Sequence, residues 1–241
     1  MLKEAVFISG AGQRIGLYLA KQILLQTDYP LVFTYRSNRP GVAELQSMGA
    51  LGIQVDFNQP ESVAACLSSI NQQVDSMRAV IHNASTWADD KAVAEEASLF
   101  SEMFKVHVEA PYQLNMALKP LLDKSTSPLK DIIAITDSSI DLANDEHIAY
   151  LATKSALDNM TKNFAKKFAP HIKVNSIAPG LIMFNKHDAE AYKKKRLAQS
   201  AIPVEPGEEV VWQAVSYLMN STYSTGVRLP LDGGKLLIYK G

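Results

Sequence analysis

Seven short, almost uninterrupted apolar runs, alternating with stretches of helical length, set the strongest constraint on how this chain folds. The runs are Ala5–Ile8, Leu31–Thr34, Gly52–Val55, Ala79–Ile81, Asp131–Thr136, Lys173–Ala178 and Val227–Leu231. A run that is apolar at nearly every position suits a strand covered on both faces, as in a parallel sheet. Between the runs, apolar residues recur three and four apart, most clearly at Ile15, Leu19, Ala20, Ile23 and Leu24. Parallel neighbours need crossovers, and right-handed crossovers place helices on both faces of the sheet. The pattern predicts a single doubly wound α/β domain over residues 1–241, with a parallel sheet of about seven strands. A β/α barrel needs eight such units and most of ~250 residues, one unit more than this chain offers.

Charge and cysteine usage narrow the function classes. Lys plus Arg is 24 and Asp plus Glu is 25, with no basic block, which argues against a nucleic-acid or membrane-surface role. The one cysteine, Cys66, excludes an internal disulfide framework and a cysteine-rich metal site, and it suits a reducing compartment. No metal is expected. Met1–Ser9 holds only the short apolar run Ala5-Val6-Phe7-Ile8, too little for a secretory signal, and no stretch approaches the ~20 apolar residues of a membrane helix. A cytoplasmic protein is expected.

The first strand runs into Ser9-Gly10-Ala11-Gly12-Gln13-Arg14-Ile15-Gly16. Gly10 lets the chain turn sharply, Gly12 permits close backbone approach to a phosphate, and Gly16 lets the following helix pack tightly. The helix N-terminus then offers unpaired N–H groups to a pyrophosphate. The second strand ends Thr34-Tyr35-Arg36-Ser37, with Arg39 close by and no carboxylate. An acidic residue at this strand end holds a ribose 2′-hydroxyl, whereas a cation accommodates a 2′-phosphate, so NADP(H) is expected over NAD(H). Asp56 and Phe57 end the third strand, placing Asp56 to accept from an adenine amino group. Asn83 and Ala84 end the fourth, and Asn83 is placed to brace either the cofactor or the neighbouring strand. Tyr150 and Lys154 open a long helical pattern and share one helix face, where an ammonium is expected to lower the tyrosine pKa. The lysine-rich stretch Lys193–Arg196 reads as a solvated helix face.

Taken in order, the glycine turn, Asn83-Ala84, Tyr150-x-x-x-Lys154, Pro179-Gly180 and Leu231-Asp232-Gly233-Gly234 resemble the short-chain dehydrogenases/reductases, from Ala5 to about Gly234. The resemblance implies a Rossmann-type fold. It implies a dinucleotide held by Gly10, Gln13, Arg14, Ile15, Tyr35, Arg36, Ser37, Asp56, Phe57, Asn83, Ala84, Tyr150, Lys154, Pro179 and Gly180. It also implies a mobile substrate lid over about residues 181–204, and a homo-oligomer, commonly a tetramer.

Four departures set this chain apart within that family, and the first three resemble the pteridine reductases. Arg14 replaces the usual third glycine, and Asp137 stands where the family carries its catalytic serine. Ser138 is next to it but one out of register, and one position on a strand reverses the face. Trp87 follows Asn83-Ala84-Ser85-Thr86 as an aromatic able to stack on a flat heterocycle, against the alternative of core packing. His107 replaces the usual helix Asn, either to bridge the same water or merely to pack. The implied activity is NADPH-dependent reduction of a 7,8-dihydropterin, dihydrofolate included. Asp137, Tyr150 and Lys154 would be catalytic, and Arg14, Ser85, Trp87, Asp137 and Tyr150 would hold the pterin. A carbonyl reductase of, for example, β-ketoacyl thioesters, and an inactive NADP(H)-binding regulator, are the competing readings.

Overall fold

The computed structural model describes residues 1–238. Strands and helices alternate along the chain: β1 (Ala5–Ser9), α1 (Arg14–Gln26), β2 (Leu31–Tyr35), α2 (Pro40–Ser47), β3 (Leu51–Gln54), α3 (Pro60–Gln73) and β4 (Met77–His82). There follow α4 (Asp90–Glu95), α5 (Ser98–Phe104), a π turn (Lys105–Glu109), α6 (Ala110–Asp123) and β5 (Asp131–Ile135). After a 3₁₀ turn (Ser138–Asp141) come α7 (Ile148–Phe168), β6 (Lys173–Pro179), α8 (Glu190–Leu197), α9 (Glu209–Asn220), β7 (Arg228–Leu231) and α10 (Lys235–Ile238). Each expected run is a strand, with ends moved by a residue or two. The third strand stops at Gln54, for instance, so Val55 and Asp56 lie just beyond it.

The seven strands lie in the order β3-β2-β1-β4-β5-β6-β7, and every pairing is parallel. Alternation along β1 shows why both faces are covered. Val6 and Ile8 pack with Leu19, Ile23, Val211 and Leu218 from α1 and α9. Ala5 and Phe7 pack on the opposite side with Val63, Ile70, Leu118 and Phe164 from α3, α6 and α7. Each fully buried Leu, Ile or Phe contributes about 1.5–3 kcal/mol, so the sheet with its two apolar layers forms a rigid base. At the N-terminal edge, the buried Asp131 carboxylate takes ion pairs from Arg78 at 2.6 Å and Lys173 at 2.9 Å, tying β4, β5 and β6 together.

The strand order reverses between β1 and β4. In a sheet of this kind, ligands bind at the carboxyl ends of the strands at that reversal, and the candidate residues converge there.

Candidate active site

The glycine turn is built by close contacts. Gly10 has φ +71°, and a Cβ on it would lie 2.8 Å from the Ala84 Cα. A Cβ on Gly16 would lie 2.4 Å from both the Asn83 Nδ2 and the Gly10 carbonyl oxygen. Asn83 donates from Nδ2 to the Ser9 and Gly10 carbonyls at 3.1 and 2.9 Å, so it braces the neighbouring strand and its turn. Ser9 Oγ accepts from the Asn83 and Ala84 amides at 3.0 Å each, fixing the end of β4 against β1. Arg14 opens α1 with φ +51°, a left-handed conformation costing a non-glycine residue about 1–2 kcal/mol. Its guanidinium donates to Asn185 Oδ1, across the cleft.

Every residue expected at the site lines one of two adjoining clefts, which share Gly10, Gln13, Ser85 and Thr86. Tyr35, Arg36, Ser37, Asp56, Phe57 and Ala84 line the outer one. Arg14, Ile15, Asn83, Trp87, Asp137, Tyr150, Lys154, Pro179 and Gly180 line the inner one. Among the described residues, neither Arg36 nor Arg39 is ion-paired with a carboxylate. Two unpaired guanidiniums beside a serine hydroxyl at the second strand end suit a phosphate.

Asp137 and Ser138 separate where the chain leaves β5, Asp137 extended at the N-cap and Ser138 as the first residue of the 3₁₀ turn. The Asp137 carboxylate faces the cleft, accepting from the Ser139 amide at 2.7 Å and from the Tyr150 hydroxyl at 3.4 Å. Ser138 is 2% exposed and its Oγ packs toward Gly180, 3.3 Å from where a Cβ there would be. Lys154 Nζ is buried, donates to the Ile135 carbonyl at 3.0 Å and lies 5.8 Å from the Tyr150 ring centroid. Trp87 is 59% exposed and meets the His147 ring edge-on at 5.3 Å, which excludes core packing for it.

The expected lowering of the Tyr150 pKa is reversed. Burial first, then the Asp137 charge, push the phenol well above its ordinary value. Burial pushes the Lys154 ammonium down to about 8, with Asp137 opposing. Tyr150 therefore keeps its proton throughout the neutral range.

His107 does more than pack. Pro111 has no N–H to offer the His107 carbonyl four residues earlier, and the helix widens into the π turn there. This brings the fully buried His107 ring between α7 and the loop after β4. Thr153 spends its one proton on the Tyr150 carbonyl at 2.7 Å, so its oxygen accepts from His107 Nδ1–H at 2.8 Å. Burial, with the charge on Lys154, holds His107 neutral, its pKa down to about 2. The bare Nε2 therefore accepts from the Thr86 amide at 3.2 Å and from the Ser85 hydroxyl at 2.8 Å. With its proton committed to His107, Ser85 presents lone pairs to the cleft.

Sequence reasoning also placed Lys193–Arg196 wholly in solvent. Lys193 does pair with Glu190 at 2.7 Å, but Arg196 is half-buried and lines the inner cleft beside Gln199, Ser139 and Lys235. Tyr192 and Arg196, four apart on α8, both face the cleft, and that spacing was the one signal available.

A tyrosine–lysine pair at a strand-end crevice beside a glycine turn defines a dinucleotide-dependent oxidoreductase site. The family model described as enoyl-(acyl carrier protein) reductase matches residues 10–235, and the chain belongs to that family, within the short-chain dehydrogenases/reductases. It is 43% identical over 232 residues to the dihydromonapterin reductase of Klebsiella pneumoniae, covering 96% of each chain. Identity to the dihydromonapterin reductase of Escherichia coli K12 is also 43%, again over 96% of both. Among solved structures, alternative dihydrofolate reductase 1 from Brucella suis, in complex with NADP, superposes with a TM-score of 0.85 at 23% identity, covering 98% of this chain and 96% of that one. That likeness speaks to the fold.

Proposed function

We propose that the protein is a dihydropterin reductase that uses NADPH to convert a 7,8-dihydropterin, with dihydromonapterin as the preferred substrate and dihydrofolate as a further one, to the tetrahydropterin. The observation that carries the reading is the Asp137 carboxylate bonded to the Tyr150 hydroxyl at 3.4 Å and facing the cleft, with Ser138 turned away. A carbonyl substrate needs hydroxyl donors on its oxygen. Here the Tyr150 proton leans on Asp137 and the Ser85 proton on His107, leaving an acceptor-rich wall suited to the N–H groups of a pterin. The 43% identity to dihydromonapterin reductases supports the same reading.

The residues present fit NADPH. Gly10 and Gly16 leave a backbone cradle at the N-terminus of α1 for the pyrophosphate, and Arg36, Ser37 and Arg39 fit the 2′-phosphate. Asp56 and Phe57 would take the adenine, while Lys154, with N–H donors to spare, would hold ribose hydroxyls. When bound, the cofactor supplies hydride to C6 of the pterin. Tyr150 and Asp137, bonded to one another, relay a proton from solvent to N5, and Asp137 aligns the ring's N–H groups. Trp87 stacks on the pterin, and Arg14 and Ser85 orient it. Residues 181–204, tied to Arg14 through Asn185, act as the lid.

No helix among the described residues is long and apolar enough to cross a membrane, and a cytoplasmic setting is proposed with the pterin role. A homotetramer is proposed too, supported by exposed Phe100, Phe104, Tyr112 and Met116 along α5 and α6.

The deciding experiment is NADPH oxidation with dihydromonapterin, dihydrobiopterin, dihydrofolate and an acetoacetyl thioester. Turnover of the thioester alone would overturn the pterin reading. Arg36→Asp is expected to lower kcat/KM for NADPH by about 10–150-fold, the loss of one charge-assisted contact, while sparing NADH. Equal use of both cofactors by the parent protein contradicts this.

A pH dependence follows from Lys154. As pH rises through about 8 in the free protein, the buried ammonium loses its proton and its charge. NADPH affinity is expected to weaken above that pH, measured by fluorescence titration between about pH 6.5 and 9.5. A flat profile over that range would show that the charge on Lys154 contributes nothing to binding.

A further inference from the structure

The inner cleft carries more positive charge than the reaction at Tyr150 uses. Arg196 reaches the cleft wall from α8 and donates from Nη1 to Gln199 Oε1 at 2.8 Å, while its Nε is buried and has no hydrogen-bond partner among the described residues. Lys235, the first residue of α10, lines the same wall and donates from Nζ to Ser139 Oγ at 2.9 Å. Among the described residues, neither cation lies within 4.0 Å of a carboxylate oxygen. Lys193, three residues earlier on the same helix, does have its glutamate.

The carboxylates near Lys235 have other work. Asp232 accepts from the Gly234 amide at 2.9 Å and the Leu236 amide at 3.4 Å, capping α10. Asp137 is occupied by Ser139 and Tyr150. Burial first, then the neighbouring Arg196 charge, push the Lys235 pKa down, against the opposing charges of Asp137 and Asp232. Two cations in one partly dry wall with no carboxylate in direct contact leave room for an anionic ligand to add stabilisation.

We propose that Arg196 and Lys235 form a subsite for an anionic group, carboxylate or phosphate, at the end of the substrate's C6 side chain. The proposal rests on the dihydropterin reading and names the residues that would hold the tail of its acidic substrates, such as the glutamate of dihydrofolate, apart from those with neutral polyhydroxyl tails. Position supports it. Ser139 accepts from Lys235 through its Oγ and donates to Asp137 Oδ1 through its amide at 2.7 Å, so the subsite begins one residue from the carboxylate that faces the ring. Arg196 lies within residues 181–204, so closure of that segment over a bound ring carries its guanidinium toward the tail.

The test is steady-state NADPH oxidation by the parent, Arg196→Met and Lys235→Met, with Arg196→Lys as a charge-retaining control. Dihydrofolate is the carboxylate-tailed substrate, a dihydroneopterin phosphate the phosphate-tailed one and dihydrobiopterin the neutral one. Each Met variant is expected to raise KM for at least one acidic-tailed substrate about 10-fold or more, with dihydrobiopterin changed less than about twofold. Arg196→Lys should recover much of the loss, and raising salt should raise KM for the acidic substrate in the parent only. Whichever acidic substrate carries the larger penalty identifies the anion. Equal changes for neutral and acidic substrates, or none, would overturn the subsite while leaving the reductase reading intact. Failure of the parent to reduce any of the three dihydropterins would overturn the reductase reading and the subsite with it.

Discussion

Replacing Tyr150 with phenylalanine is expected to lower kcat for dihydropterin reduction by about 10²–10⁴-fold, the usual contribution of a positioned general acid. NADPH affinity should stay close to that of the parent. The hydroxyl is the only group removed, and the ring keeps its edge contact with His107, whose centroid lies 5.7 Å away. The cofactor cradle at Gly10 and Gly16, and the cations at the second strand end, are untouched. Because burial and Asp137 hold the phenol far above neutrality, the parent should show no alkaline loss from Tyr150 ionisation within the range where the protein is folded. Single-turnover measurements would separate the proton step from release. Near-normal turnover in the variant would reduce Tyr150 to a residue that merely positions substrate.

Asp137→Ala is expected to remove most dihydropterin reduction, by a factor on the order of 10² or more, since it takes away both the acceptor for Tyr150 and the carboxylate facing the ring. Asp137→Ser should not restore it. A hydroxyl carries no charge, and a shorter side chain cannot reach Tyr150 from this position. Ser138→Ala should be nearly silent in activity, because Ser138 Oγ is buried and has no hydrogen-bond partner among the described residues. Its effect should appear, if anywhere, in thermal stability. The two outcomes are opposed because the Asp137 carboxylate faces the cleft while Ser138, the first residue of the 3₁₀ turn, is buried against Gly180. Full activity in Asp137→Ala, with NADPH binding confirmed separately, would remove the chief reason to prefer pterins over carbonyl compounds.

The sheet could be read from the chain because burial on both faces demands unbroken apolar runs, and few other structures do. The Tyr150–Lys154 pair was legible for a similar reason, since a spacing of four on a long helix fixes a shared face. The sign of the Tyr150 shift was not legible. Sequence counts charges that lie close together, but desolvation depends on what packs over them, here the loop after β4 and the π turn. Arg196 was missed because α8 carries Glu190, Lys193, Lys194, Lys195 and Arg196 almost all around, so no apolar stripe marks an inward face. Lys235 reaches Ser139, 96 residues earlier, through a turn that depends on Gly233 and Gly234, both at positive φ. Contacts at that separation leave no local pattern. The left-handed Arg14 is the opposite case. The family's glycine would have suited the backbone, and the side chain that replaces it reaches Asn185.

The π turn at Lys105–Glu109 also sets the phase between two halves of one long helix. In a regular helix Phe104 and Tyr112, eight residues apart, would be rotated by about 80° from each other. A widened turn absorbs one residue without advancing the rotation, which brings that difference to about 20°. Phe104, Tyr112 and their exposed neighbours Phe100 and Met116 then fall along one outward stripe, while the same turn drives His107 inward to Ser85. Deleting a single residue between 105 and 109 would give a more regular helix in which Phe104 and Tyr112 stand seven apart, still about 20° from each other, so the outward stripe would be kept while the inward histidine lost the bulge that places it. The surplus residue thus serves the inner side of the helix alone: it lets the chain push His107 toward Ser85 while leaving the outer apolar stripe in the line a regular helix would have given it.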